Sequence, residues 1–190
     1  MLPHPGIRYL ILLALVWGVL ANACRRSAEA AHLQAVDSLI TTVDAAILTL
    51  NELDPERFDR AAAAFATRAE QFQERFQDTL ERAEAELLGN QFIALNAADD
   101  MAADHRRTLQ ELRGSAERLR ALRHDVMNAA MPIYDEKNAI ATEMQVQQVL
   151  RANVEQAIEN YRTIQQTWEQ LPRTDSLLTI AILVNPTARR

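Results

Sequence analysis

The most reactive side chain in this sequence is the thiol of Cys24, the only cysteine among 190 residues. A basic residue precedes an apolar run from Tyr9 to Leu20, and Ala21-Asn22-Ala23 leads directly to the cysteine. A positive segment, an apolar run of about a dozen residues and small residues at a cleavage site are typical of a bacterial export signal. We therefore predict a signal peptide over residues 1–23, removed to leave Cys24 as the first residue.

A cysteine immediately after the cleavage site is the residue on which bacterial lipoproteins receive their acyl chains. A single thiol cannot form an internal disulfide, so one leftover cysteine in an exported chain requires another explanation. Acylation of Cys24 explains both its number and its position, and we expect it to anchor the protein to a membrane. Arg25 stands where an acidic residue commonly signals inner-membrane retention, which favours the outer membrane.

Two alternatives to lipid anchoring stay open. Ala21 and Ala23 also suit the ordinary signal peptidase, and cleavage by that enzyme would give a soluble periplasmic or secreted protein with a free thiol. A transmembrane anchor needs about 20 apolar residues, and the run from Tyr9 to Leu20 is shorter than that. The length of the run therefore argues against a membrane span.

The other residues that could take part in chemistry form a cluster of Asp100, Asp104 and His105. The two aspartates are four residues apart and share one face of a helix, whereas the histidine falls on its apolar seam. These residues are the candidate ligands for a divalent cation. One helix supplies too few ligands, however, so we interpret the cluster as a solvated acidic face and expect no metal or cofactor.

The sequence contains no other pattern that indicates catalysis. It has no glycine-rich phosphate loop, nucleophile elbow or plausible triad, and no Cys-x-x-Cys-His haem motif. The chain carries 20 basic and 26 acidic residues, and this acidic balance argues against binding to nucleic acid. We therefore expect a protein that is not an enzyme and has no nucleic-acid partner.

The segments that position these residues are helical, because glycine and proline are scarce after Cys24. Asp54-Pro55, Gly89-Asn90 and Pro172 are the expected helix boundaries. The predicted helices cover about 28–53, 55–88, 91–128 and 132–171. An uncharged run over 177–184 follows, which would form either a short helix or a strand-like segment.

Apolar residues recur at spacings of three and four along each predicted helix, as in the series Leu33, Val36, Ile40, Val43, Ile47 and Leu50. Short connections make neighbouring helices antiparallel. The predicted fold is all-α: an antiparallel up-down four-helix bundle with coiled-coil-like heptad seams, forming one domain over residues 24–190.

The chain resembles small, uncharacterised helical lipoproteins of Gram-negative bacteria. The resemblance rests on the signal with Cys24, on the stretch from His32 to Leu39, and on Leu122-Arg123-His124-Asp125 leading into Tyr134-Asp135-Glu136-Lys137. It implies a location in the cell envelope and transfers no functional residues.

Together these observations predict a lipid-anchored envelope protein with a structural or protein-interaction role and an unknown envelope protein partner. The alternative function is a small-ligand or metal-binding helical bundle exported to the periplasm. Self-association through the apolar seams or the 177–184 run also remains open.

Overall fold

The computed structural model describes residues 30–77 and 80–184, with side chains described as far as Thr179. Cys24 and the predicted signal peptide lie outside the described residues. Within the described ranges every regular element is a helix, so the all-α prediction is confirmed. The helices are α1 (Ala30–Glu52), α2 (Glu56–Arg75), α3 (Arg82–Asn96), α4 (Ala98–Met127) and α5 (Ile133–Val184).

Helix α1 buries the heptad-spaced positions of its predicted seam. Val36, Val43 and Leu50 are all fully buried, as a spacing of seven residues on one helix face requires. The helix ends where the sequence predicts, at Asp54-Pro55. There the carboxylate of Asp54 accepts a hydrogen bond from the backbone N–H of Glu56, which satisfies one free donor at the start of α2.

The predicted second helix, 55–88, is two helices in the structure. Helix α2 ends at Arg75 and α3 begins at Arg82. The apolar pattern shifts across this break. Phe58 and Phe72 are fully buried at heptad spacing, which would lead to residue 86, whereas the fully buried leucine is Leu88, two residues later. A continuous helix could not present both sets of apolar residues to one core. The break allows α2 and α3 each to turn its own apolar residues toward the core.

Gly89-Asn90 does not end a helix, and the predicted start of the third helix at Gln91 is wrong for the same reason. Helix α3 continues through both residues to Asn96, and α4 follows after the single residue Ala97. A glycine inside a helix costs only about 1 kcal/mol. The burial of Leu88 and Gln91 on either side of Gly89 outweighs that cost.

Pro172 does not end α5 either, so the predicted boundary at Leu171 is also wrong. The helix continues to Val184 and includes the 177–184 run, which is helical rather than strand-like. Thr174 and Leu178 are both buried beyond the proline. Packing of this last part of α5 offsets the hydrogen bond that proline removes.

Helix packing divides the protein into two compact units, where the sequence predicts one domain. In the described residues, unit 1 comprises α1 up to Ala45, α4 from Arg113 and α5 up to Gln148. Its core consists of the buried residues Val36, Val43, Ala116, Leu119, Leu122, Val126 and Ile140.

Unit 2 comprises residues 46–112 and α5 from Val149. Its core is centred on Phe58, Phe72, Leu88, Leu95, Ile164, Leu171 and Leu178. The rings of Phe65 and Phe72 on α2, and of Phe76 just after it, lie at 5.3–5.7 Å from the ring of Phe92 on α3. All three contacts are edge-to-face, the arrangement that the charge distribution of aromatic rings favours.

Candidate functional site

The candidate metal ligand His105 is a buried structural residue in unit 2. Its side chain is only 2% exposed, and its Nε2 lies 3.0 Å from the carbonyl oxygen of Leu50. A carbonyl can only accept, so the imidazole carries its proton on Nε2. The Leu50 carbonyl lies in the last turn of α1 and also accepts the backbone N–H of Leu53 at 3.3 Å, so His105 is its second donor.

The two aspartates of the same candidate cluster face away from His105. Asp100 is exposed, and Asp104 accepts a hydrogen bond of 2.6 Å from Arg107 on the surface of α4. Within the described ranges, no group of three or more histidine, cysteine or acidic side chains is arranged to hold a metal ion. The structure therefore does not bring Asp100, Asp104 and His105 together as ligands.

An unpredicted polar pair lies in unit 1, between the first turn described for α1 and the first turn of α5. His32 Nδ1 is 2.9 Å from Glu136 Oε2, and the glutamate side chain is only 1% exposed. A buried carboxylate is costly unless it is paired, so this contact holds α1 against the start of α5. Because only two side chains take part, we interpret the contact between His32 and Glu136 as a structural pair and not as a cation site.

The sequence contained a signal for this pair. Fourteen residues, or two heptads, separate Glu136 from Leu150, the first residue of the α5 seam, so Glu136 occupies a seam position. A charged residue at a seam position requires a partner inside the protein. The partner itself could not be deduced, because no spacing rule connects residues 32 and 136.

A cleft of about 360 Å³ lies in unit 2, between α3, α4 and α5. Its lining is uncharged and rich in amide and hydroxyl groups. The lining residues are Asn90, Gln91, Ile93, Ala94, Met101, Thr163, Gln166, Thr167 and Gln170. No sequence motif pointed to this cleft, because single amide residues on two separate helices have no characteristic spacing.

Gln91 is the most deeply buried polar residue of the cleft, with 1% exposure. Its amide nitrogen donates to the carbonyl oxygen of Thr167 at 3.2 Å and lies 3.4 Å from Oε1 of Gln170. Its own Oε1 is buried and has no hydrogen-bond partner among the described residues. An orphaned buried acceptor is costly, so a donor on a bound molecule or a water would stabilise it.

The connection between α4 and α5, in unit 1, exposes several apolar side chains. No residue from Val126 to Tyr134 is charged, and Met127, Ile133 and Tyr134 are 56%, 42% and 70% exposed. Ala129 has a positive φ of 50°, the left-handed conformation that commonly ends a helix. We call residues 126–134 the α4–α5 turn.

Ion pairs join neighbouring helices within each unit, and two of them involve arginines whose pKa is shifted. In unit 2, Arg68 on α2 donates to both carboxylate oxygens of Asp175 on α5, at 2.5 and 2.9 Å. This hydrogen bonding raises the pKa of Arg68 above its ordinary value. In unit 1, the hydrogen bond to Asp37 likewise raises the pKa of Arg123. Both arginines therefore remain charged at any physiological pH.

Helix α1 is the one described helix that is long and apolar enough to cross a membrane, judged by length and composition alone. Its most apolar window has a mean hydropathy of 1.4. An N-terminal apolar helix of this kind is compatible with a signal sequence or an anchor, and core helices of soluble proteins also meet the criterion. Comparison with protein-family models, with curated proteins and with solved structures found no match to the chain.

Proposed function

We propose that this protein is a lipoprotein of the cell envelope, anchored through acyl chains on Cys24, with a structural or protein-interaction role and no catalytic activity. The observation that carries the proposal is the position of Cys24. It follows an apolar segment with the features of an export signal, and only five residues separate it from Ala30, the first residue described in α1. The outer membrane is the proposed site, since Arg25 is not an inner-membrane retention signal.

The packing of α1 supports anchoring by lipid rather than by this helix. Asp37 and Asp44 on α1 accept hydrogen bonds from Arg123 and Arg120 on α4, at 2.6 and 2.7 Å. An aspartate near the centre of a membrane-spanning helix costs about 2.5–3.5 kcal/mol. Two such residues on α1 favour its role as a helix of the folded domain, which leaves anchoring to Cys24.

The same ion pairs support the antiparallel helical arrangement that we propose for the fold. Going from Asp37 to Asp44 advances along α1, whereas their partners Arg123 and Arg120 go backwards along α4. The heptad spacing of Val36, Val43 and Leu50 supports coiled-coil-like packing of α1.

Leu48, Ile93 and Val149 are large apolar residues and each is more than 60% exposed. Single exposed apolar residues are ordinary on protein surfaces, so the proposed interaction role rests on the helical sequence without catalytic motifs and not on these residues. The partner we propose is an envelope protein, and association of the chain with itself is the competing interpretation.

The decisive experiment is mass spectrometry of the mature N-terminus after expression in a Gram-negative host. We expect a chain that starts at Cys24 and carries the added mass of acyl chains, and that sediments with membranes. The Cys24→Ser variant should lose both properties while keeping the helical circular dichroism of the parent. An unmodified thiol on the mature wild-type chain, or an uncleaved leader, would contradict the proposal.

A second candidate function, binding of a small uncharged ligand, is favoured by the orphaned Oε1 of Gln91 in the unit 2 cleft. Thermal denaturation with a panel of neutral amides and sugars tests it, because a ligand that binds only the folded protein raises its melting temperature. Gln170→Ala should abolish any such shift, whereas Gln165→Ala, outside the lining, should preserve it. Saturable stabilisation by divalent cations would instead support the metal-binding alternative.

A further inference from the structure

We propose that the α4–α5 turn rests on the surface of the same membrane that holds the acylated Cys24. The turn would insert Met127, Ile133 and Tyr134 among the lipid headgroups. This inference depends on the proposed lipid anchor and adds to it a second, protein-mediated contact that orients unit 1 on the membrane.

Exposed apolar side chains are concentrated at this turn. Nine large hydrophobic residues are exposed in the described part of the chain, and three of them fall within the eight residues from Met127 to Tyr134. The intervening segment contributes Ala129, Ala130 and Pro132, which are also exposed. Isolated exposed apolar residues are ordinary, whereas a contiguous group commonly marks a contact surface.

The turn lies beside the start of α1, the described helix that follows Cys24 in the sequence. The contact between His32 and Glu136, at 2.9 Å, places the beginning of α1 beside the beginning of α5. Glu136 is two residues after Tyr134 and His32 is two residues after Ala30. The start of α1 and the α4–α5 turn are therefore neighbours.

The chain between the anchor and α1 is too short to separate the turn from the membrane. Cys24 and Ala30 are six residues apart, so their Cα atoms can be at most about 20 Å from each other. A lipid surface at Cys24 is consequently within a short distance of the turn. No covalent connection of this kind holds a separate protein close to the turn.

The composition of the turn suits a headgroup region. Nine consecutive uncharged residues avoid the cost of dehydrating a charge. Asp125 precedes them, and the exposed Asp135 and Lys137 that follow have opposite charges. Tyrosine is enriched at the membrane–water boundary, because its ring is apolar and its hydroxyl can remain hydrated. Nine residues are also far fewer than the roughly 20–30 per partner in a stable protein interface.

The test uses the acylated full-length mature protein reconstituted into vesicles of phosphatidylethanolamine and phosphatidylglycerol. An acylated Cys24 has no free thiol, so an added cysteine is the only site for a maleimide-linked environment-sensitive dye. The dye is attached at Ala130→Cys in the turn or at Gln148→Cys on α5. Position 148 is 15 residues beyond Ile133, about 22 Å along the same helix.

We expect blue-shifted emission at position 130 and quenching there by lipids that carry a nitroxide, with neither effect at position 148. Adding Ile133→Asn and Tyr134→Ser should reduce the quenching at position 130. Both residues are exposed, so the helical circular dichroism should remain, and membrane attachment through Cys24 should persist.

Equal emission and quenching at positions 130 and 148 would overturn this inference while leaving lipid anchoring intact. A blue shift at position 130 that appears without vesicles and grows with protein concentration would also overturn it, in favour of a second copy of the chain. Dye incorporation into the parent protein would reveal a free thiol on Cys24, which would overturn both the anchor and this inference.

Discussion

At the residue scale, His105 is informative because its side chain, on α4, contacts residues of both α1 and α2. Its imidazole sits in the seam of α4, faces the ring of Phe58 at 5.9 Å, and donates to the carbonyl of Leu50 near the end of α1. Its Nδ1 is buried and has no hydrogen-bond partner among the described residues. His105 belongs to a candidate cluster in which the sequence led us to expect no metal, and in the structure it donates to the end of a helix.

Replacing this imidazole tests that role. We expect His105→Ala to lower the free energy of unfolding by about 2–3 kcal/mol, because it leaves the Leu50 carbonyl without this donor and opens a cavity beside Phe58. Urea denaturation followed by circular dichroism measures the change. Arg106→Ala, the exposed neighbour, should change stability by less than about 0.5 kcal/mol. Stabilisation of the wild type by zinc, absent in His105→Ala, would contradict this structural assignment.

At the element scale, the helix boundaries show how packing competes with local preference. A helix ends before Asp54-Pro55, where the Asp54 carboxylate accepts a backbone N–H of the next helix and the proline favours a helix start. Gly89 and Pro172 lie inside helices, because buried residues continue on both sides of each. The break between α2 and α3 contains neither glycine nor proline and coincides instead with a shift in the apolar pattern.

Pro172 permits a test of this competition. Because proline removes a backbone hydrogen bond and crowds the preceding turn, we expect Pro172→Ala to raise the free energy of unfolding by about 1–3 kcal/mol. Thermal and urea denaturation measure the difference, and Arg173→Ala on the exposed surface is the control. A loss of stability in Pro172→Ala would show that the backbone geometry imposed by proline is needed for Leu178 and Thr174 to pack.

At the scale of the whole molecule, the boundary between the two compact units runs through three helices. It falls between residues 45 and 46, 112 and 113, and 148 and 149, all within helical segments. Each unit has its own buried core, with Leu119 fully buried in unit 1 and Ile164 fully buried in unit 2. Continuous helices couple the units, because unwinding one part of a helix frees the neighbouring turns.

This coupling predicts a single cooperative unfolding transition. Leu119→Ala and Ile164→Ala should each lower the free energy of unfolding by about 2–5 kcal/mol, by leaving a cavity in one unit. Each variant should shift the transition of the entire protein, followed by circular dichroism and by hydrogen exchange in both units. Two separate transitions, with each variant moving only its own, would show that the units unfold independently.

The fold class was predictable because it depends on composition and spacing that each segment carries locally. Scarce glycine and proline, together with apolar residues three and four apart, correctly predicted helices and the burial of Val36, Val43 and Leu50. The pairing of His32 with Glu136 and the orphaned amide of Gln91 were not predictable. Both arise from residues far apart in sequence that meet only through packing.

The sequence by itself determined that the chain is helical and that its only cysteine follows an apolar segment, since both depend on neighbouring residues alone. Tertiary structure decided where the helices end, that His105 donates to the carbonyl of Leu50 near the end of α1, and that the α4–α5 turn lies beside the start of α1. The physical reason is that burial depends on the complete set of residues surrounding a side chain. Such a set exists only after distant segments have packed, and its energy exceeds the local preferences of single glycine or proline residues.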